Sequence, residues 1–153
     1  MEKDFIPIYN VLDLYNVRND LTANYVLMND IDLTEVTAKG GDYDYSGNGW
    51  NPIGSGDIYG KSGEFTGIFD GNGYTISGMR ISDFSTLPSG TGTLYVGLFA
   101  NNAGTIKNLH INGSIYANTN KGNDIYAGGI AATNTGIISG CSSAVKIDIT
   151  RSY

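Results

Sequence analysis

Apolar residues in this chain fall in short alternating runs broken by Gly and Asn, and the runs return at nearly even intervals. Ala144-Val145-Lys146-Ile147-Asp148-Ile149 alternates strictly, as a half-buried strand does. Gly67-Ile68-Phe69 matches Gly97-Leu98-Phe99 at a spacing of 30. At the same spacing, Thr75-Ile76-Ser77-Gly78-Met79-Arg80-Ile81 matches Thr105-Ile106-Lys107-Asn108-Leu109-His110-Ile111. A third copy follows 31–32 residues later: Tyr126-Ala127-Gly128-Gly129-Ile130 echoes Tyr95-Val96-Gly97-Leu98-Phe99. Gly136-Ile137-Ile138-Ser139-Gly140-Cys141 echoes Gly104-Thr105-Ile106-Lys107-Asn108-Leu109, with one residue inserted between the two halves.

A copy of this size holds two or three strands and cannot bury its apolar face alone, so it must stack on its neighbours. A propeller blade usually needs 40 or more residues, and three copies are too few to close a propeller. The pattern therefore predicts an all-β fold: a right-handed parallel β-helix, or solenoid, with equivalent residues about 4.8 Å apart in successive coils. It predicts three interior ladders: Ile76–Ile106–Ile138, Met79–Leu109–Cys141 and Phe69–Phe99–Ile130. Ser77, Lys107 and Ser139 should point outward. His110 aligns with Arg80, at an outward position.

Helical spacing occurs near the N-terminus. Asn10 to Arg18 reads as a short helix with Asn10 as N-cap and Asp13 at N3, where a carboxylate suits the helix dipole. Val11, Leu14, Tyr15 and Leu21 keep its apolar spacing, so the helix is expected to cover the open end of the solenoid. Tyr25 to Met28 and Ile31 to Leu33 read as strands, and residues 35–64 as a long loop or irregular coil around Trp50-Asn51-Pro52-Ile53-Gly54. Ser82 to Thr93 and Asn118 to Asp124 are polar insertions. The organisation expected is one domain over 1–153, with a cap at 1–24, first coils at 25–81 and repeats at 95–150. No cap follows the last strand, so a longer array or another subunit is expected there, giving end-to-end association through that coil.

Composition fits this picture: 22 Gly and 11 Tyr against 3 Pro suit short strands with tight turns. The net charge of −6, without basic runs, makes nucleic acid and anionic membrane surfaces poor partners. No apolar run has the length of a membrane span. The first residues do not form a signal peptide, which leaves a cytosolic protein or a piece of a longer exported one.

Several of these segments together resemble the GLUG-motif β-helix repeats of bacterial surface proteins. Asn24 to Thr34, Trp50 to Gly54, Phe65 to Ile76, Val96-Gly97-Leu98-Phe99 and Gly128-Gly129-Ile130-Ala131 carry the resemblance, which covers roughly residues 5–150. It implies an extracellular or cell-surface bacterial setting and a scaffolding or adhesive role. Such repeats also form the non-catalytic region of immunoglobulin A-cleaving metalloproteases. The resemblance supplies no catalytic residue and no cofactor.

Candidate chemistry is sparse. His110 is the only histidine and Cys141 the only cysteine, so one chain forms neither a two-histidine zinc site nor a disulfide. Cys141 holds an apolar ladder position, where a buried thiol is inert. Asp42, Asp44 and Ser46 sit at positions 1, 3 and 5 of an EF-hand-like run with Gly47 at 6, a calcium pattern, but Ile53 replaces the bidentate Glu at 12. The competing reading is a polar turn with aromatic anchors. Asp30 and Asp32 share a strand face and could join Asp70 in a carboxylate cluster, although Asp70-Gly71-Asn72-Gly73 is also what a tight turn requires. Tyr43, Tyr45, Trp50 and Tyr59, with Tyr74 and Tyr116, are candidates for stacking on sugar rings or anchoring a host or cell-surface protein. Three functions stay open: a non-catalytic structural or adhesive module, a glycan-binding or lyase-like glycan-cleaving β-helix, and an accessory domain of a secreted protease.

Overall fold

A computed structural model describes residues 4–54, 63–82, 92–119 and 124–151. The fold is all-β and strand-rich. Its strands are β1 (Phe5–Ile8), β2 (Asn24–Leu27), β3 (Ile31–Asp32), β4 (Ile68–Asp70), β5 (Thr75–Ser82), β6 (Thr93–Val96), β7 (Phe99–Asn102), β8 (Thr105–Lys107), β9 (His110–Thr119), β10 (Asp124–Ala127), β11 (Ala131–Asn134), β12 (Ile137–Ser139) and β13 (Ser142–Arg151). Among the described residues one α-helix, α1 (Val11–Tyr15), continues into a 3₁₀ turn over Asn16–Asn19. The described residues hold no helix long and apolar enough to cross a membrane.

Strand order gives four sheets: β1-β2-β4-β8-β12, β3-β5-β9-β13, β6-β10 and β7-β11. Every pairing between these strands is parallel. Strands β6 to β9 lie in four different sheets, and β10 to β13 pair with them one to one in the same order. Over this stretch the expected spacing holds. Tyr95 faces Tyr126 and Ile106 faces Ile138, but the extra residue falls between Ala127 and Ala131 rather than between Ile130 and Gly136 as expected.

The first two copies pair differently from the expectation. Ile76 does not face Ile106; it lies between Ile31 and Ile111. Phe69 instead faces Ile106, a separation of 37 rather than 30. Met79 faces Gly113, and Arg80 faces Ser114 rather than His110. Phe99 faces Ala131 in place of Ile130, and meets Phe69 only across the core, ring edge to face at 5.4 Å.

The corners explain the shift. Alternation has a period of two and fits many offsets, so it cannot fix register alone. The corner after β4 must stack on the corners after β8 and β12: Gly71 N donates to Lys107 O, Gly73 N to Asn108 O and Asn108 N to Ser139 O. Asn72, Asn108 and Gly140 share a left-handed backbone there, at φ 53°, 55° and 62°. Asn and Gly tolerate that conformation and β-branched residues do not. A second constraint is a column in which Gly67, Gly104 and Gly136 replace one another. A Cβ on Gly104 would overlap Gly67 O, and one on Gly136 would overlap Gly104 O.

The core runs along the stack. Phe65, Phe69 and Phe99 are fully buried and in mutual ring contact, with Trp50, Ile53, Ile76 and Ile106 around them. The N-terminal helix forms as its sequence requires: Asn10 Oδ1 accepts from Asp13 N at 2.9 Å, and Asp13 Oδ2 accepts from Tyr9 N. Leu14 and Val17 are buried, and Val11, Tyr15 and Leu21 pack on the core. Cys141 is only half-buried, close to the carbonyls of Ile106 and Ser139.

Candidate functional site

A cleft of about 480 Å³ opens between the end of α1 and the loop after β3, lined by Tyr15, Asp42, Tyr43, Asp44, Tyr45 and Ser46. Backbone bonds shape the loop: Thr37 N donates to Leu33 O, Tyr43 N to Val36 O, and Tyr45 N to Gly49 O. Asp44 is its hub. One carboxylate oxygen accepts from Gly40 N at 2.8 Å and the other from Gly49 N at 2.7 Å. Arg80 on β5 closes the clamp: its Nη1 donates to Thr37 O at 2.9 Å and lies 3.4 Å from Asp44 Oδ1, and its Nη2 donates to Gly47 O.

The Asp44 side chain is only 5% exposed. Burial opposes its charge, but the N–H groups of Gly40 and Gly49 and the Arg80 guanidinium outweigh burial and hold its carboxyl below the usual range. Asp44 is thus a charged structural tie. Asp42 and Ser46 are exposed at the rim, and Ser46 adopts a left-handed backbone at φ 51°.

Aromatic rings form the opposite wall. Tyr15 meets Tyr43 at 5.1 Å between ring centres and Trp50 at 6.0 Å, edge to face. Arg18 lies over the Tyr15 ring at 3.8 Å; its Nε donates to Tyr15 O and its Nη2 to Asn51 O. Desolvation lowers the Arg18 pKa, partly offset by Tyr15. Arg18 Nη1 and Asn51 Oδ1 are buried without hydrogen-bond partners.

The aromatic candidates thus divide. Tyr43 and Tyr45 are half-buried and line the cleft. Trp50 does not belong with them. It is fully buried, and its Nε1 donates to Leu98 O at 3.1 Å, so it offers no face to a ligand. Large apolar rings leave water when a core is near, and the alternation around Trp50 was too irregular to reveal its side. Tyr59 lies outside the described residues. Tyr15 is the cleft residue that sequence reasoning missed, because its helical spacing marked it as core.

The carboxylates weighed as a catalytic cluster are each engaged in hydrogen bonds within the fold. Asp30 Oδ1 accepts from Thr75 N, and Asp70 Oδ1 accepts from Asn72 N and, at 3.4 Å, from Asn108 Nδ2. Asp32 Oδ1 accepts from the hydroxyl and N–H of Thr34, which hold its carboxyl below the usual range. Among the described residues no three His, Cys, Asp or Glu side chains gather as a metal site would require. The chemistry the cleft offers is ring stacking from tyrosines and hydrogen bonding from Asp42, Ser46 and the phenol groups. Comparison with protein-family models, curated proteins and solved structures finds no match to this chain.

Proposed function

We propose that this chain is a non-catalytic right-handed parallel β-helix module of an extracellular or cell-surface bacterial protein, and that its Tyr15–Tyr43–Tyr45 cleft binds a glycan. The β-helix reading draws on the four parallel sheets and on strands β10 to β13 following β6 to β9 in the same order. The surface setting rests on the GLUG-motif resemblance. The observation that carries the glycan reading is the cleft itself: three tyrosines beside Asp42 and Ser46, on a loop clamped by Asp44 and Arg80. Aromatic faces take the apolar side of a sugar ring, while carboxylate and hydroxyl groups take its hydroxyls. The clamp keeps the loop ordered before binding, which lowers the entropy cost of association.

The test is a glycan array followed by calorimetry on the best ligand, with and without calcium. Binding should weaken about tenfold in Tyr43→Ala, the loss of a stacking contact and the area around it. Tyr116→Ala, a change on outward-facing β9, should leave it unaltered. Calcium dependence lost in Asp42→Asn would favour Asp42 and Ser46 as ligands, since Asp44 is already held by Gly40, Gly49 and Arg80. An array without binding would overturn the glycan reading, and cleavage products would overturn the non-catalytic one.

A further inference from the structure

The tyrosine cleft presents charge of one sign. Asp42 and Asp44 stand among its lining residues, and among the described residues no basic side chain does. Asp44 is committed inside the fold, its oxygens held by Gly40 N, Gly49 N and the Arg80 guanidinium. Asp42 is not. It is exposed at the rim, and among the described residues it makes no hydrogen bond or ion pair.

The two arginines nearest the cleft turn their donors elsewhere. Arg18 Nε donates to Tyr15 O and its Nη2 to Asn51 O, and its Nη1 is buried. Arg80 serves Thr37 O, Gly47 O and Asp44. A sugar bearing a carboxylate or sulfate therefore meets the Asp42 carboxylate with no cation presented to it.

The rings favour the opposite sign of ligand. An aromatic face carries the negative part of the ring quadrupole and attracts a cation within about 6 Å of its centre. Arg18 already occupies one face of Tyr15, at 3.8 Å. Its charge opposes a second cation at that ring, which leaves Tyr43 and Tyr45. Asp42 directly precedes Tyr43 and both line the cleft, so one ligand group can meet carboxylate and ring together.

We infer that the cleft selects sugars carrying a free, protonated amine over neutral and acidic ones. Asp42 accepts from the ammonium, while the faces of Tyr43 and Tyr45 take the sugar ring and add cation–π attraction. This inference rests on the glycan reading of the same cleft and names the class of sugar.

Calorimetry with three oligosaccharides tests it, in mildly acidic buffer with a calcium chelator: a fully deacetylated glucosamine oligomer, its N-acetylated form and a galacturonate oligomer. The deacetylated oligomer should bind about fivefold tighter than the N-acetylated one, with the galacturonate weakest. Added salt should narrow the preference by screening. Asp42→Asn should abolish most of it, and Asp42→Glu, which keeps the charge, should retain it. Circular dichroism should be unchanged in both variants, since Asp42 is exposed and unpartnered. Equal or tighter binding of the neutral or acidic oligomer overturns the amine inference and leaves the glycan reading standing. So does binding confined to array glycans without an amine, or a preference that survives in Asp42→Asn. Binding to none of the three, nor to any glycan of the array, overturns the glycan reading and this inference with it.

Discussion

Asp44 Oδ1 lies 3.4 Å from Nη1 of Arg80, an ion pair that ties a surface loop to strand β5. The carboxylate also takes the N–H groups of Gly40 and Gly49, so one side chain fixes both ends of the tyrosine loop. That charge holds the loop that forms one wall of the cleft.

The charge should show in the pH dependence of stability. The folded-state pKa of Asp44 lies below its unfolded value, so the stabilisation is fully present above the unfolded pKa of about 3.9 and is lost as pH falls through the folded value. Asp44→Asn removes it at all pH. Thermal unfolding from pH 7 to acid should show a gap of about 1–3 kcal/mol between wild type and variant at neutral pH, closing in the acid range. A gap that persists unchanged in acid would mean Asp44 acts by shape and not by charge.

The glycine column should separate close packing from backbone strain. Gly104→Ala forces a Cβ onto Gly67 O and the Thr66 backbone, and should cost roughly 3 kcal/mol or more. Gly73→Ala meets nothing within 4 Å, but sits at φ 79° and should cost only about 1–2 kcal/mol. Urea denaturation of the two variants measures both, and equal losses would contradict the packing account.

Trp50 and Tyr43 should fail in different ways. Trp50→Ala empties a fully buried site and should cost about 3–5 kcal/mol. Tyr43→Ala removes a half-exposed ring and should leave the melting temperature within a few degrees of wild type while weakening ligand binding. Scanning calorimetry beside binding calorimetry distinguishes a core ring from a cleft ring.

Asn102 should be intolerant of an isosteric charge. Its Nδ2 donates to Asn134 Oδ1 at 2.8 Å and lies near the carbonyls of Gly104 and Ile137, and it is 1% exposed. Asn102→Asp replaces a donor with an acceptor among acceptors, at a cost of several kcal/mol. The variant should unfold at much lower urea, and recover in part when acid protonates the new carboxyl. No recovery at low pH would rule out charge as the cause.

The sequence by itself determined the local parts. Alternation placed β13, the spacing of Val11, Leu14 and Tyr15 placed the helix, and Asn10 with Asp13 placed its cap, because each depends on neighbours within one turn or one pleat. Where two copies match closely it determined register as well, for β6 on β10, β8 on β12 and β9 on β13, but β7 seats one residue further along β11 than the match implies. The tertiary structure decided the rest. Ile76 met Ile31 and Ile111 in place of Ile106, because left-handed corners and a column with no room for a Cβ fix how successive parallel strands seat, and neither constraint is periodic in the chain. The same distance effect hid the cleft. Tyr15, Asp44 and Arg80 are far apart in sequence, and only packing turns a helical tyrosine into one wall of a site and an acidic turn into the clamp that holds the other.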